Sequence, residues 1–494
     1  MNREKNSMDG YKNNIKRYLL IILIEVFAVG FTLILLGEYK SEPNTKKASL
    51  EVKEANAEES TTEQESNVTN KQINKEINKE TNKETNKMYD SVDKSDTNTS
   101  KMESTTSKDR TEIVTDIKGA NSDETVDSTN KSNVTTTKLS KEEKQQLKEV
   151  NEIIKNMTLE EKICQMFIIS PEALTNYNNV TAAGTKTKNA IDKYHVAGVI
   201  YFSGNIKSEN QLKKLLTNTQ QYATADDGIP MFIGIDEEGG EVARIGNNPK
   251  FNATKFKNLS TVSSKEEAYK IGNTIGKYLS NYGFNIDFAP DSDVLTNKKN
   301  TVVKNRAFSS SAKKVVAYAS AYASGLNDEN LYATYKHFPG HGSTVGDSHK
   351  GFAYTNKTYA QLEKADLVPF IDGIKNGIDL IMVAHISVPN VIGDNTPSSL
   401  SKVMVTDILR GKLGYEGVII TDAMNMGAIS QNYTVEQSTT KAVKAGCDII
   451  LMPDNFREAY NSLIKAVKNG EISEERIDES VRRVLLLKKK RMNW

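Results

Sequence analysis

The chain has 494 residues, of which 37% are hydrophobic, a low fraction for a protein folded along its whole length. Its 65 basic and 64 acidic residues leave a formal net charge of +1, so no overall field draws it to nucleic acid or an acidic polymer, and a neutral substrate fits best. Cys164 and Cys447 lie far apart in apolar runs, which excludes a disulfide framework and a zinc-ribbon spacing and reads as two buried thiols.

Residues 18–36, YLLIILIEVFAVGFTLILL, are apolar apart from Glu25 and long enough to cross a bilayer as a helix. Arg3, Lys5, Lys12, Lys16 and Arg17 precede it, which predicts a cytoplasmic segment at 1–17 and export of the chain beyond residue 36. The apolar core is longer than that of a cleaved signal peptide, and Ala55-Asn56-Ala57 is the only peptidase-like site nearby, so an uncleaved anchor is expected, with a secreted form as the alternative. No cysteine stands after the apolar run for lipid attachment. Residues 37–140 are dominated by Asn, Lys, Glu, Thr and Ser and cannot bury enough apolar surface to offset their ordering entropy. A disordered linker is expected there, and a flexible chain of about 100 residues spans roughly 50–60 Å root-mean-square.

From 141 to 494 the pattern changes to apolar runs of strand length separated by amphipathic helical stretches. The runs are CQMFIIS (164–170), VAGVIYFSG (196–204), PMFIGIDEE (230–238), FNIDFAP (284–290), YATYKHFPG (332–340), IDLIMVAHI (378–386), GVIITDA (417–423) and CDIILMP (447–453). Eight strand-helix units predict a single α/β domain, a (β/α)8 TIM-type barrel; no Gly-rich dinucleotide fingerprint supports an open doubly wound sheet. Nearly every run turns polar at its C-terminal end, at Asp236, Asp287, Lys336-His337, His385, Asp422 and Asp454, the end where barrel active sites assemble. The last stretch, RIDESVRRVLLLKKKRMNW, reads as a final basic helix with no further domain expected after it.

The densest signal is KHFPGHGSTVGDSH, residues 336–349, which holds His337, His341 and His349, three of the five histidines. His337 and His341 have the i, i+4 spacing of a metal-binding helix, but Pro339 and Gly340 between them break such a helix, so no metal and no cofactor is expected. Asp347 and His349 can hydrogen-bond in a Gly-containing loop, where a carboxylate orients an imidazole for proton transfer. Taken alone, Asp347-Ser348-His349 could be a capping turn, and Asp422 could be a helix N-cap after a strand. Glu237 and Glu238 are adjacent on an extended segment and point to opposite sides, so at most one can face a pocket, and neither is assigned as an acid.

This stretch resembles the signature of glycoside hydrolase family three, in its bacterial β-N-acetylglucosaminidase branch. IGIDEEGGEVAR (233–244), DFAP (287–290), NRAF (305–308), AHISVP (384–389) and ITDAMNMGAI (420–429) match in the same order, so the resemblance covers about 145–494. It implies that Asp422 is the nucleophile and that His349, oriented by Asp347, is the general acid/base in place of the usual second carboxylate. It also implies that Asp236, Arg244, Lys336 and His337 hold the hydroxyls of a terminal sugar, with Arg306 near the N-acetyl side or the leaving group. The expected substrate is terminal GlcNAc on peptidoglycan-derived fragments, handled by a monomer whose one other partner is the membrane, reached through its N-terminal helix. The alternatives are a β-N-acetylglucosaminide phosphorylase, since a histidine acid/base does not repel phosphate, and a silent wall-binding protein.

Overall fold

A computed structural model describes residues 140–225, 228–492 and 494. No helix among them is long and apolar enough to cross a membrane; the anticipated anchor at 18–36 and nearly all of the anticipated linker lie outside the described residues.

Each of the eight apolar runs contains a strand: β1 (Phe167–Ile169), β2 (Gly198–Ile200), β3 (Phe232–Ile235), β4 (Ile286–Asp287), β5 (Tyr332–Phe338), β6 (Leu380–Val383), β7 (Val418–Thr421) and β8 (Ile450–Leu451). Neighbours in sequence pair in parallel from β1 through β7, and β8 pairs with β1. A parallel bridge between Ile420 and Ile449 closes the ring between β7 and β8, giving the expected TIM-type barrel. Helices such as Glu209–Ala223 and Val435–Ala445 start where Ser208 or Thr434 caps the first turn with Gln211 or Gln437 reaching back, as those local sequences dictate.

The strand period of two sorts the side chains. One set fills the barrel: Ile168, Ile200, Phe232, Ile286, Phe288, Tyr332, Leu380, Met382, Val418, Ile420 and Leu451. Gly234 belongs to this inner layer, where a Cβ would come within 2.9 Å of the Phe288 ring, so the glycine makes room for the aromatic. Val484 and Leu487, from the predicted basic helix (Glu474–Arg491), pack beneath this layer. The other set faces the surrounding helices and forms the main core. Cys164 and Cys447 are buried, and burial pushes each thiol up to about 12, which keeps both as unreactive apolar groups.

The strands are shorter than the runs, because each run continues past its last sheet hydrogen bond into the loop above. A parallel pair not anticipated from the sequence, Ala353–Tyr354 with Ile386–Ser387, links the loop after β5 to the end of β6.

Candidate active site

Continuing the inward alternation past the strand ends delivers the polar residues. Phe232 and Gly234 lead to Asp236, Tyr332 and Thr334 to Lys336, and Val418 and Ile420 to Asp422. These side chains, with Arg244, Arg306, His337 and His349, line one cavity of about 360 Å³ at the C-terminal mouth of the barrel. Phe202, Met382 and Met426 supply its apolar walls. Asp454 is exposed and lies outside this lining.

An ion-paired floor holds the cavity. Lys336 Nζ lies 2.9 Å from Asp236 Oδ1 and 2.7 Å from Glu238 Oε1. Arg306 grips Glu238 through both arms of its fork, at 2.9 and 2.7 Å, and passes 3.6 Å from Asp291. Burial alone would push the Glu238 carboxyl up, but Arg306 and Lys336 hold it well below the usual carboxylate range, fixing it as an anion. Glu238 and Asp291 are therefore site residues that sequence reasoning did not assign.

Glu237 turns the other way, as adjacent extended positions require. Its carboxylate accepts the backbone N–H groups of Arg244, Ile245 and Gly246 and the Tyr278 hydroxyl, pinning the loop that brings Arg244 to the cavity. Arg244 Nη2 lies 3.8 Å from Asp236 Oδ2, while its Nε is buried without a partner among the described residues, a donor available to a ligand.

His337 is buried between Asp293, 2.8 Å from its Nδ1, and Arg306, 3.2 Å from its Nε2. Because a guanidinium can only donate, Nε2 must accept and Nδ1–H must donate to Asp293, so the ring is neutral. Its nitrogens are both engaged, and a sugar hydroxyl reaches it only by sharing or replacing the Arg306 contact. The ligand atoms of Asp291, Asp293 and His337 lie within 4.8 Å of one another, a spacing a cation could use. Arg306 already supplies positive charge there, and the Asp293–His337 hydrogen bond occupies two of the three groups, so the cluster reads as the support of the arginine.

Burial pushes His337 and His341 down to about 4. In the unfolded chain a histidine takes its proton at about 6.5, so this part of the stability is complete above that pH and is lost as pH falls toward 4. Comparing wild type with His341→Gln by chemical denaturation removes the background of the other groups. The stability advantage of wild type should shrink by roughly 3 kcal/mol on acidification from pH 7 to 4. A gap constant across that range would contradict the neutral, buried histidine.

Asp422 follows β7 and is partly buried, and its Oδ1 accepts the Ala423 amide at 2.8 Å. Burial opposes its ionisation, but His337, His385 and that amide outweigh it and hold the carboxyl below its ordinary value. His385, whose two nitrogens engage Ser399 Oγ at 2.7 Å and the Ala423 carbonyl at 3.0 Å, braces the backbone beside it.

His349 arrives from the loop after β5. Its Nδ1 lies 2.9 Å from Asp347 Oδ1, which also accepts the His349 amide at 3.0 Å. Asp347 thus stands behind the ring, and the remaining nitrogen, Nε2, is the one able to exchange a proton with a ligand. All the catalytic and sugar-binding candidates from the sequence except Asp347 line the same cavity, and Asp347 touches it through His349.

Residues 158–487 match the sequence model of the glycosyl hydrolase family 3 N-terminal domain. The chain is 33% identical over 325 residues to beta-hexosaminidase A of Pseudoalteromonas piscicida, covering 61% of this chain and 54% of that protein. It is 34% identical over 269 residues to a beta-hexosaminidase of Chromobacterium violaceum, covering 53% and 73%. Among solved structures, a family 3 beta-N-acetylglucosaminidase from Paenibacillus sp. superposes with a TM-score of 0.64 at 36% identity, covering 68% of this chain and 63% of that one. The chain thus spans little more than half the length of the Pseudoalteromonas protein. With a closed parallel barrel, a polar cavity at its C-terminal mouth and a family match across both, this protein belongs to glycosyl hydrolase family 3.

Proposed function

We propose that the protein is a retaining exo-β-N-acetylglucosaminidase that removes non-reducing terminal β-linked GlcNAc from peptidoglycan-derived fragments. The observation that carries this reading is the convergence of Asp422 and His349 on one cavity of about 360 Å³, within the size range of small-molecule sites. The Pseudoalteromonas and Chromobacterium relatives, named as beta-hexosaminidases, support the sugar class. In the first step His349 Nε2–H protonates the glycosidic oxygen as an Asp422 oxygen attacks the anomeric carbon, giving a covalent glycosyl-enzyme and free aglycone. In the second, neutral His349 takes a proton from water, whose oxygen displaces Asp422 and restores the original configuration. Asp236, Lys336 and Arg244 would hold the hydroxyls of the terminal ring, and Arg306 would approach the N-acetyl side. Residues 18–36 would anchor the protein in the membrane with the barrel outside, close to wall fragments.

Release of chromophore from an aryl β-GlcNAc glycoside tests the activity, and saturable binding without release would instead establish a binding protein. Adding phosphate separates hydrolysis from phosphorolysis, with GlcNAc rather than GlcNAc-1-phosphate expected as product. The acid assignment has its own control. Glu237→Gln should keep kcat within about tenfold of wild type while lowering Tm, whereas His349→Ala should lose roughly 10²–10⁴ in kcat/KM on poor leaving groups. The reverse pattern would move the acid role to Glu237.

A further inference from the structure

The loop that carries His349 does not hang free over the barrel. Its base is a narrow hairpin, with the Val345 and Tyr354 amides exchanging hydrogen bonds with each other's carbonyls at 2.9 and 3.0 Å. Its tip is gripped from the far side by the turn that follows the nucleophile strand. The Gly427 amide donates to the His349 carbonyl at 3.3 Å, the Ala428 amide to the Ser348 carbonyl at 3.1 Å, and Gln431 Nε2 to the Lys350 carbonyl at 3.3 Å. From below, His341 Nε2 pairs with Ser348 Oγ at 3.0 Å, and its Nδ1 pairs with Thr344 Oγ1 at 3.0 Å. Three consecutive residues are therefore held on one side, Ser348 and His349 by backbone amides and Lys350 by the Gln431 side chain, and Ser348 is also held by a buried imidazole on the other.

The approach at Gly427 admits no side chain. A Cβ there would stand 2.8 Å from the His349 carbonyl oxygen and 3.0 Å from the Lys350 carbonyl carbon, and backbone atoms cannot move aside as a flexible side-chain end can. Any larger residue would push the tip away from the cavity while leaving Asp422, five residues earlier, bonded to its own Ala423 amide.

We propose that Gly427 and Ser348 are positioning residues forming a two-sided clasp that holds the acid/base histidine over the nucleophile. The clasp makes the loop after β7 serve both steps, presenting Asp422 directly and His349 indirectly. It rests on the acid/base reading of His349.

The test compares kcat/KM on two aryl β-GlcNAc glycosides, one with a phenyl leaving group that needs protonation and one with a 2,4-dinitrophenyl group that does not. Gly427→Ala and Ser348→Ala should each lose about 10- to 100-fold on the phenyl glycoside and less than about threefold on the dinitrophenyl one, a weaker copy of the His349→Ala pattern. A general structural defect would lower both substrates together. If His349→Ala shows the leaving-group dependence while Gly427→Ala and Ser348→Ala lose equally on both substrates or on neither, the clasp is overturned and the acid/base reading stands. If His349→Ala itself loses equally on both, that reading fails and the clasp with it. Should Gly427→Ala not fold, Ser348→Ala, which deletes one buried hydroxyl and leaves the backbone contacts, decides alone.

Discussion

Asp422→Asn should lower turnover of an aryl β-GlcNAc glycoside by roughly 10³-fold or more, the scale on which losing a covalent nucleophile registers. The substitution is close to isosteric, and the Asn side-chain oxygen can still accept the Ala423 amide that Asp422 accepts at 2.8 Å. The flanking imidazoles of His337 and His385 each keep their own partners, so folding should be undisturbed and the loss should report chemistry. Stereochemistry gives a second readout. With azide added and a dinitrophenyl leaving group, Asp422→Ala, which empties the space of the carboxylate, should yield the α-glycosyl azide by direct displacement from that face. His349→Ala should yield the β-azide, because its glycosyl-enzyme still forms and azide intercepts it. A variant at position 422 that retained a tenth of wild-type turnover would remove the carboxylate from the mechanism.

Arg306→Ala should be the most damaging single change to the floor of the site. It strips Glu238, fully buried, of two of its three charged hydrogen bonds and leaves Asp291, also fully buried, without the guanidinium 3.6 Å away. Breaking a buried pair of this kind costs about 3–5 kcal/mol, a large share of a typical total stability of about 5–15 kcal/mol. For a domain of this size that corresponds to a fall in Tm of roughly 5 °C. The loss should be smaller at pH 5 than at pH 8, because a buried carboxylate deprived of its partner takes up a proton instead. Combining Arg306→Met with Glu238→Gln should recover part of the stability without recovering activity, since a clamp on the cavity is still missing. A Tm for Arg306→Ala within a degree of wild type at pH 8 would mean that these charges are not what supports the cavity.

The barrel was legible because two periods coexist in the sequence, and a strand of two or three ladder residues such as Gly198–Ile200 still sits inside a longer apolar run. The site residues were legible where a polar side chain interrupts the inward alternation, as at Asp236, Lys336 and Asp422. Asp287 also stands at the polar end of its run, but Ile286 and Phe288 on either side of it fill the barrel, so it falls in the helix-facing set, fully buried with its Oδ1 accepting the Glu237 amide, and burial pushes its carboxyl well above the ordinary range. A polar residue at a strand end marks the cavity only when its parity matches the inner set. Glu238 and Asp291 escaped because their importance lies in a guanidinium arriving from NRAF, a segment distant from Glu238 in sequence. A signal existed in the acid density of DFAPDSD, three aspartates leaving one strand, which calls for a distant cation. The clasp could not be foreseen, since it depends on backbone carbonyls meeting backbone amides, and those carry no residue signature beyond a glycine.

The helix Glu474–Arg491, whose Val484 and Leu487 lie under the innermost layer, makes the floor of the barrel depend on a segment that follows all eight barrel strands in sequence. Without it, Phe232, Tyr332 and their neighbours would lose the side chains packed beneath them, and the strand tips that carry Asp236, Lys336 and Asp422 would rest on an unfinished foundation. Removal of that single helix, which contributes no residue to the lining of the cavity, should therefore collapse the cavity from beneath.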